Sequence, residues 1–142
     1  MKKMVLSLLV DNTSGVLSRV SGLFSRRGYN IDSLSVGVTE NPKYSRMTVA
    51  VSGDDLTLEQ IAKQLNKLED VVNITELKDG QSVCRELVLV KVKTNREEKQ
   101  QIIAITDVFR AKIVDVSIES LMIELTGNAN KIEAFIGLLD GF

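Results

Sequence analysis

Between Val5 and Val10 the chain is almost continuously apolar, the pattern of a strand buried on both faces or covered by helices on one. A polar turn, Asp11-Asn12-Thr13-Ser14-Gly15, breaks that run. Val16, Leu17, Val20, Leu23 and Phe24 then recur at helical spacing, with Ser18, Arg19, Ser25, Arg26 and Arg27 on the opposite side. Gly28 stands where a helix end favours a residue without a Cβ. Beyond it Leu34, Val36 and Val38 alternate with polar or small residues, but Ile31 is out of phase with them, which predicts a bulge at Asp32-Ser33. Glu40-Asn41-Pro42-Lys43 carries turn chemistry, and Met47, Val49 and Val51 alternate in a returning strand. Thr57-Leu58-Glu59-Gln60 matches a capping box, followed by Leu58, Ile61, Ala62, Leu65 and Leu68 on one helical face. Val72 and Ile74 mark a fourth strand.

Residues from about 4 to 77 therefore spell strand, helix, strand, strand, helix, strand, the order of a ferredoxin-like α+β sandwich with sheet order 4-1-3-2. Polar Lys78-Asp79-Gly80-Gln81-Ser82, with its Asp-Gly pair, predicts a boundary between one domain over 1–78 and a second over 83–142. The second half repeats the order. Leu87 to Val92 reads as a strand, and Asn95 with Glu98 as a cap for a helix carrying Ile102, Ile105 and Phe109. Val114, Val116 and Ile118, then Leu121, Ile123 and Leu125, read as a hairpin, and Asn128 as the cap of a last helix bearing Ile132, Phe135, Ile136 and Leu139. This second βαββα unit lacks a counterpart of the strand at Val72 and Ile74. The strand at Leu87 to Val92 is thus expected to keep an open edge. The abrupt Gly141-Phe142 end favours a further strand beyond it over a partner's cover.

Composition narrows the chemistry. The 142 residues contain 18 Lys and Arg against 19 Asp and Glu, a net charge of -1, which supplies no electrostatic reason to bind nucleic acid or a membrane surface. Histidine is absent, removing the commonest general base near neutral pH and the commonest metal ligand. A single cysteine, Cys84, allows neither an intrachain disulfide nor a thiolate cluster, so a reducing compartment, the cytoplasm, is expected and Cys84 is read as structural. The apolar run after Met1-Lys2-Lys3-Met4 is too short for a signal-peptide core or a membrane span. No phosphate-binding or nucleophile motif occurs, and Asp54-Asp55 and Glu97-Glu98 complement helix starts better than they would ligate a metal. No catalytic or metal-binding residue is assigned.

The candidate chemistry lies at the two ends of the first helix. Asp11 to Leu17 can serve as a ligand loop, because first-turn amides suit a carboxylate and Gly15 lets a ligand approach closely. The residues alone slightly favour a plain cap instead, with Asn12, Thr13 or Ser14 satisfying those amides and Gly15 a tolerant turn residue. Gly28-Tyr29-Asn30-Ile31 can be an ordinary helix end, and Arg26-Arg27 a solvated one. In a split βαβ fold these two clusters lie at opposite sheet ends, so a site using both would be completed by a symmetry mate.

The run Leu8 to Val20, continued by Gly22-Leu23-Phe24-Ser25-Arg26-Arg27-Gly28-Tyr29-Asn30-Ile31, closely resembles the ACT domain of the acetolactate synthase small-subunit family. Ser45-Arg46-Met47-Thr48, Gln60 to Leu68, Arg85-Glu86-Leu87 and Leu89-Val90-Lys91-Val92 are similar to it as well. The resemblance implies a non-catalytic, cytoplasmic regulatory subunit of branched-chain amino-acid biosynthesis. Such a subunit activates a large catalytic subunit, which holds thiamine diphosphate, Mg²⁺ and FAD, and confers feedback inhibition by a branched-chain amino acid, usually valine. It further implies a homodimer through the N-terminal ACT domain. The effector would lie between Asn12, Ser14, Gly15, Val16 and Leu17 of one chain and Asn30 with Ile31 of the other, while the second domain contacts the catalytic subunit. A free-standing tandem ACT sensor of amino acids, regulating another enzyme or transcription, is the alternative. A small ferredoxin-fold acyl phosphate hydrolase gripping phosphate through Arg26 or Arg27 is a weaker third.

Overall fold

The computed structural model describes residues 2–142, which form two compact units dividing between Ser82 and Val83. In the first, β1 (Lys2–Asp11), α1 (Val16–Arg26), β2 (Ile31–Val38), β3 (Tyr44–Gly53), α2 (Asp55–Asn66) and β4 (Val71–Glu76) build an antiparallel sheet of order β2-β3-β1-β4. This is the expected 4-1-3-2 order read from the other edge. Alternation along β1 buries Met4, Leu6, Leu8 and Val10 on one face. That face joins Val20 and Phe24 of α1, Val49 of β3 and Ile61 and Leu65 of α2 in a single core.

The bulge foreseen at Asp32-Ser33 is present, as the β2–β3 register shifts between Ile31 and Ser33. Leu34, Val36 and Val38 alternate as expected, but β2 is an edge strand and leaves them 40%, 45% and 61% exposed. Two expectations need correction. Helix α2 begins at Asp55, and its cap is Asp54, whose Oδ1 accepts from the Thr57 amide at 2.7 Å. Thr57 therefore lies in the first turn, because a carboxylate three residues earlier already satisfies the amide the capping box would have used. In β4 the inward residues are Val71 and Ile74, while Val72 is half exposed. The register shift between Leu9 and Val10 turns two residues three apart to the same face.

The second unit runs β5 (Glu86–Lys93), α3 (Glu98–Val108), β6 (Lys112–Val116), β7 (Ser120–Gly127) and α4 (Ala129–Leu139), with sheet order β5-β7-β6. Its core joins Val92, Ile102, Leu121, Ile123, Leu125, Ile132, Phe135 and Leu139, with Phe109 edge-on to Phe135 at 5.3 Å. The Asn128 cap forms as expected, and Asn95 pairs with Glu98 as expected, although α3 begins at Glu98 with Glu97 at its N-cap position and no side-chain bond from that residue. Asn95 Oδ1 accepts from the Glu98 amide at 2.8 Å while its Nδ2 donates to the Glu98 carboxylate, and Asn128 Oδ1 accepts from the Lys131 amide at 2.9 Å.

The expected hairpin is present as β6 and β7, but its alternating residues Val114, Val116 and Ile118 are not buried. Instead, β6 turns Ile113 inward opposite Ile123, a register shift between Ile113 and Asp115 takes Val114 out of the ladder, and Ile118 sits at the tip of the Ser117–Ser120 turn. Strand β5 has β7 as its one strand neighbour among the described residues, so the expected open edge is present. Cys84 is exposed and adds nothing to either core, against its reading as structural. No helix among the described residues is long and apolar enough to cross a membrane.

Candidate functional site

Helix α1 begins on glycine. Gly15 occupies the N-cap position in the left-handed region, φ 86° and ψ -5°, and no side chain caps the helix. The capping reading of Asn12, Thr13 or Ser14 is therefore not what the structure holds. The Val16 amide reaches the Thr13 carbonyl at 3.5 Å, and the Arg19 amide closes on Gly15 O at 3.0 Å. Between them the Leu17 and Ser18 amides meet no protein acceptor among the described residues. Such a turn presents donors and the positive end of the helix dipole to the outside, an arrangement suited to a carboxylate.

Asn12 is tied into the neighbouring hairpin. Its amide nitrogen donates to Pro42 O at 2.9 Å, its side-chain oxygen accepts from Ser45 Oγ at 3.2 Å, and its backbone N–H donates to Lys43 O at 2.8 Å. It thus fixes the loop against the start of β3. Ser14 and Gly15 are exposed, Val16 is buried in the core, and Leu17 is 46% exposed beside the uncapped turn.

The second predicted cluster follows the other end of α1. Gly28 takes φ 70°, its amide and that of Tyr29 close onto Ser25 O and Phe24 O, and the Tyr29 ring packs edge-on against Phe24 at 6.4 Å. Asn30 is exposed and donates to Asp32 Oδ1 at 3.2 Å, while Asp32 Oδ2 accepts from Ser52 Oγ at 2.6 Å. Ile31 is half-buried against the core.

The two clusters are apart within one chain. Asp11 pairs with Tyr44 and Ile31 with Val51, seven positions further along β3, or about 23 Å at strand rise. Arg26 and Arg27 are exposed at the helix end and engage no carboxylate among the described residues.

Two residues that the sequence did not single out stand beside the loop. Arg19 donates through Nε and Nη2 to the two carboxylate oxygens of Asp70, at 2.5 and 3.1 Å. Hydrogen bonding from Arg19 holds the Asp70 carboxyl below its ordinary range, and the same bond raises the guanidinium pKa. Arg19 lies one helical turn from Gly15, but Asp70 is 51 residues away, and only the folded sheet joins them. Two surface depressions of about 620 Å³ lie elsewhere, one along the β2–β3 hairpin and one at the start of α3, and neither is lined by the predicted residues. Among the described residues no group of three His, Cys, Asp or Glu side chains could hold a metal ion.

Comparison with known proteins is consistent along the whole chain. Residues 6–73 match the family described as "AHAS small subunit-like ACT domain", and residues 85–142 match "Small subunit of acetolactate synthase". The acetolactate synthase small subunit of Mycobacterium avium is 54% identical over 135 residues, covering 95% of this chain and 81% of that protein. The probable acetolactate synthase small subunit of Archaeoglobus fulgidus is 50% identical over 137 residues, covering 96% and 86%. The crystal structure of the small subunit from Thermotoga maritima superposes with a TM-score of 0.90 at 46% identity, over 98% of this chain and 87% of that one.

Proposed function

The chain belongs to the family of acetolactate synthase small subunits, and on that premise we propose that it is the non-catalytic regulatory subunit of that enzyme. In this reading it works in the cytoplasm, binds the large catalytic subunit, raises its activity and makes it sensitive to a branched-chain amino acid, valine first. Thiamine diphosphate, Mg²⁺ and FAD are assigned to the large subunit, and no catalytic step to this chain. The first unit binds the effector and dimerises; the second meets the catalytic subunit.

The observation that carries the effector site is the uncapped first turn of α1 behind a left-handed Gly15. An amino acid needs its carboxylate held by amides, its ammonium by carbonyl or amide oxygens, and its side chain by apolar surface. The Leu17 and Ser18 amides answer the first need, Asn30 of a second chain the second, and Leu17 with Ile31 the third. Because Asn30 and Ile31 lie seven β3 positions from the loop, a site using both clusters requires two chains. That same requirement accounts for a site which is open surface in one chain.

Edge strand β2, with Leu34, Val36 and Val38 all at least 40% exposed, supplies apolar surface for that pairing. An apolar pocket separates side chains differing by one methylene by only about 1–3 kcal/mol, so ranking valine against leucine and isoleucine belongs to titration. Coupling between effector and catalytic subunit is set at about 1–3 kcal/mol, or roughly 5–150-fold in affinity.

Reconstitution tests the proposal. Acetolactate formation by the large subunit is measured with and without this chain and then against valine. Stimulation followed by inhibition supports the whole reading, and stimulation with no response to any branched-chain amino acid removes the effector site. Valine binding with no stimulation replaces the reading by a free-standing sensor. Gly15→Asp places bulk and negative charge where the carboxylate would lie, and is expected to abolish inhibition while leaving a folded chain.

A further inference from the structure

Asp70 closes the turn between α2 and β4, and it holds the Gly15 loop twice. Its backbone carbonyl accepts from the Asp11 amide at 2.9 Å, at the point where β1 gives way to the loop. Its carboxylate takes Nε and Nη2 of Arg19, in the first turns of α1. The remaining guanidinium nitrogen, Nη1, lies 2.9 Å from the point a Cβ on Gly15 would occupy. One residue thus grips both ends of the loop, and the arginine it holds lies across the glycine in between. On the other flank Asn12 fixes the loop to Pro42, Lys43 and Ser45.

Surface ion pairs in general contribute little, because two long side chains must be ordered in a high dielectric. This one differs in three respects. It is a two-bond fork, the Asp70 side chain is only 18% exposed, and the same residue is anchored to the loop by a backbone bond.

We propose that the Arg19–Asp70 pair is a positioning latch for the effector loop, holding the Gly15 turn and the first amides of α1 in the arrangement that receives the ligand carboxylate. Neither residue contacts the ligand in this scheme. The latch also makes the α2–β4 turn part of the site, so occupancy of the loop is felt at Asp70 and the start of β4. Its role in affinity rests on the effector-site reading above; its hold on the loop does not.

Asp70→Asn keeps the shape and one acceptor oxygen but removes the charge, and Arg19→Lys keeps the charge but removes the fork. Two measurements on the full chain separate the possibilities: hydrogen exchange of the Asp11, Asn12 and Arg19 amides without ligand, and the valine dissociation constant by calorimetry. In Asp70→Asn the three amides are expected to exchange at least tenfold faster while those of β3 keep their protection, and valine affinity to fall at least fivefold. Arg19→Lys is expected to lie between that variant and the wild type on both scales. Exchange within twofold of wild type in Asp70→Asn overturns the latch. Faster exchange with unchanged valine affinity overturns its positioning role. Faster exchange in a chain whose wild type binds no valine, leucine or isoleucine confirms the hold on the loop and removes the effector site instead.

Discussion

Replacing Gly15 by alanine tests the geometry of the candidate loop most directly, because Gly28 provides a matched control. Both glycines have positive φ, 86° and 70°, a region that costs a residue with a Cβ about 1–2 kcal/mol. Part of that cost is offset by the reduced freedom of alanine in the unfolded chain, about 0.4–1 kcal/mol. A net loss of about 1 kcal/mol is therefore expected at Gly28, where a Cβ would meet nothing within 4 Å. At Gly15 the new Cβ would come within 2.9 Å of Arg19 Nη1, in a guanidinium already fixed by two bonds to Asp70. The side chain can move, but only by giving up the ion pair, so Gly15→Ala carries that loss in addition to the backbone cost.

The assay is available in the composition. The chain has no tryptophan, and its two tyrosines, Tyr29 and Tyr44, both lie in the first unit, so tyrosine fluorescence in urea reports that unit alone. For a unit of this size each kcal/mol is worth roughly 4–8 °C in Tm. Gly15→Ala is expected to lose more stability than Gly28→Ala. The Gly15→Ala loss alone should shrink in an Arg19→Gln background, beyond the roughly 0.3–0.5 kcal/mol by which independent sites fail to add. The reasoning is refuted if Gly15→Ala is as stable as wild type while Gly28→Ala is not, or if Arg19→Gln leaves both losses unchanged.

Two further outcomes follow from the packing and the charges. Val10→Ala and Val90→Ala remove the same two methyl groups, but Val10 is 1% exposed between β3 and β4 whereas Val90 is half-buried with β7 alone beside it. At about 0.8 kcal/mol per buried methylene-sized group plus a cavity term, the first should cost about 2–3 kcal/mol and the second about 1 kcal/mol. Equal losses in denaturant titrations would contradict the open edge of β5.

Asp54 is held below its ordinary range chiefly by the Thr57 backbone N–H, and Asp70 by the Arg19 side chain. A lowered folded-state pKa means the unfolded chain takes up protons first. The stability these groups contribute is thus fully present above the unfolded value, about 4, and is lost as pH falls through the folded one. Melting temperatures between pH 6 and 3 should fall less steeply in Asp54→Asn with Asp70→Asn than in the wild type. Parallel curves would remove both carboxylates from the acid response.

The sequence carried most of this architecture because each element announces itself locally. The alternation of Leu6, Leu8 and Val10, the stops at Gly15 and Gly28, and the cap at Asn128 are all readable within a few residues. The irregularity at Ile31 and Ser33 was legible for the same reason, since a phase error in a period of two is visible on its own. Which residues of β4 and β6 face the core was not legible, because bulges in the partner register, at Leu9 and Val10 and at Ile113 and Asp115, change which side chain faces in. The cap of α2 was misplaced because Asp54 and Thr57 both carry suitable oxygens and only the fold chooses between them. The loop's residues alone favoured the capping reading over the ligand one, and only the fold places Gly15 at the cap with no side chain over the amides. The Arg19–Asp70 pair was invisible, since nothing within 51 residues of chain links the two ionised groups.

The open edge of β5 bears on how this chain behaves at high concentration. Glu86-Leu87-Val88-Leu89-Val90-Lys91-Val92-Lys93 is a proline-free run of strong strand formers, with a row of backbone donors and acceptors along one side and Leu87 and Leu89 about 60% exposed. Such a segment templates cross-β stacking unless charges interrupt it, and here only Lys91 and Lys93 at one end and Glu86 at the other act as gatekeepers. Those three charges are therefore the ones that oppose edge-to-edge pairing, and neutralising the lysines is expected to raise aggregation at high concentration without altering either hydrophobic core.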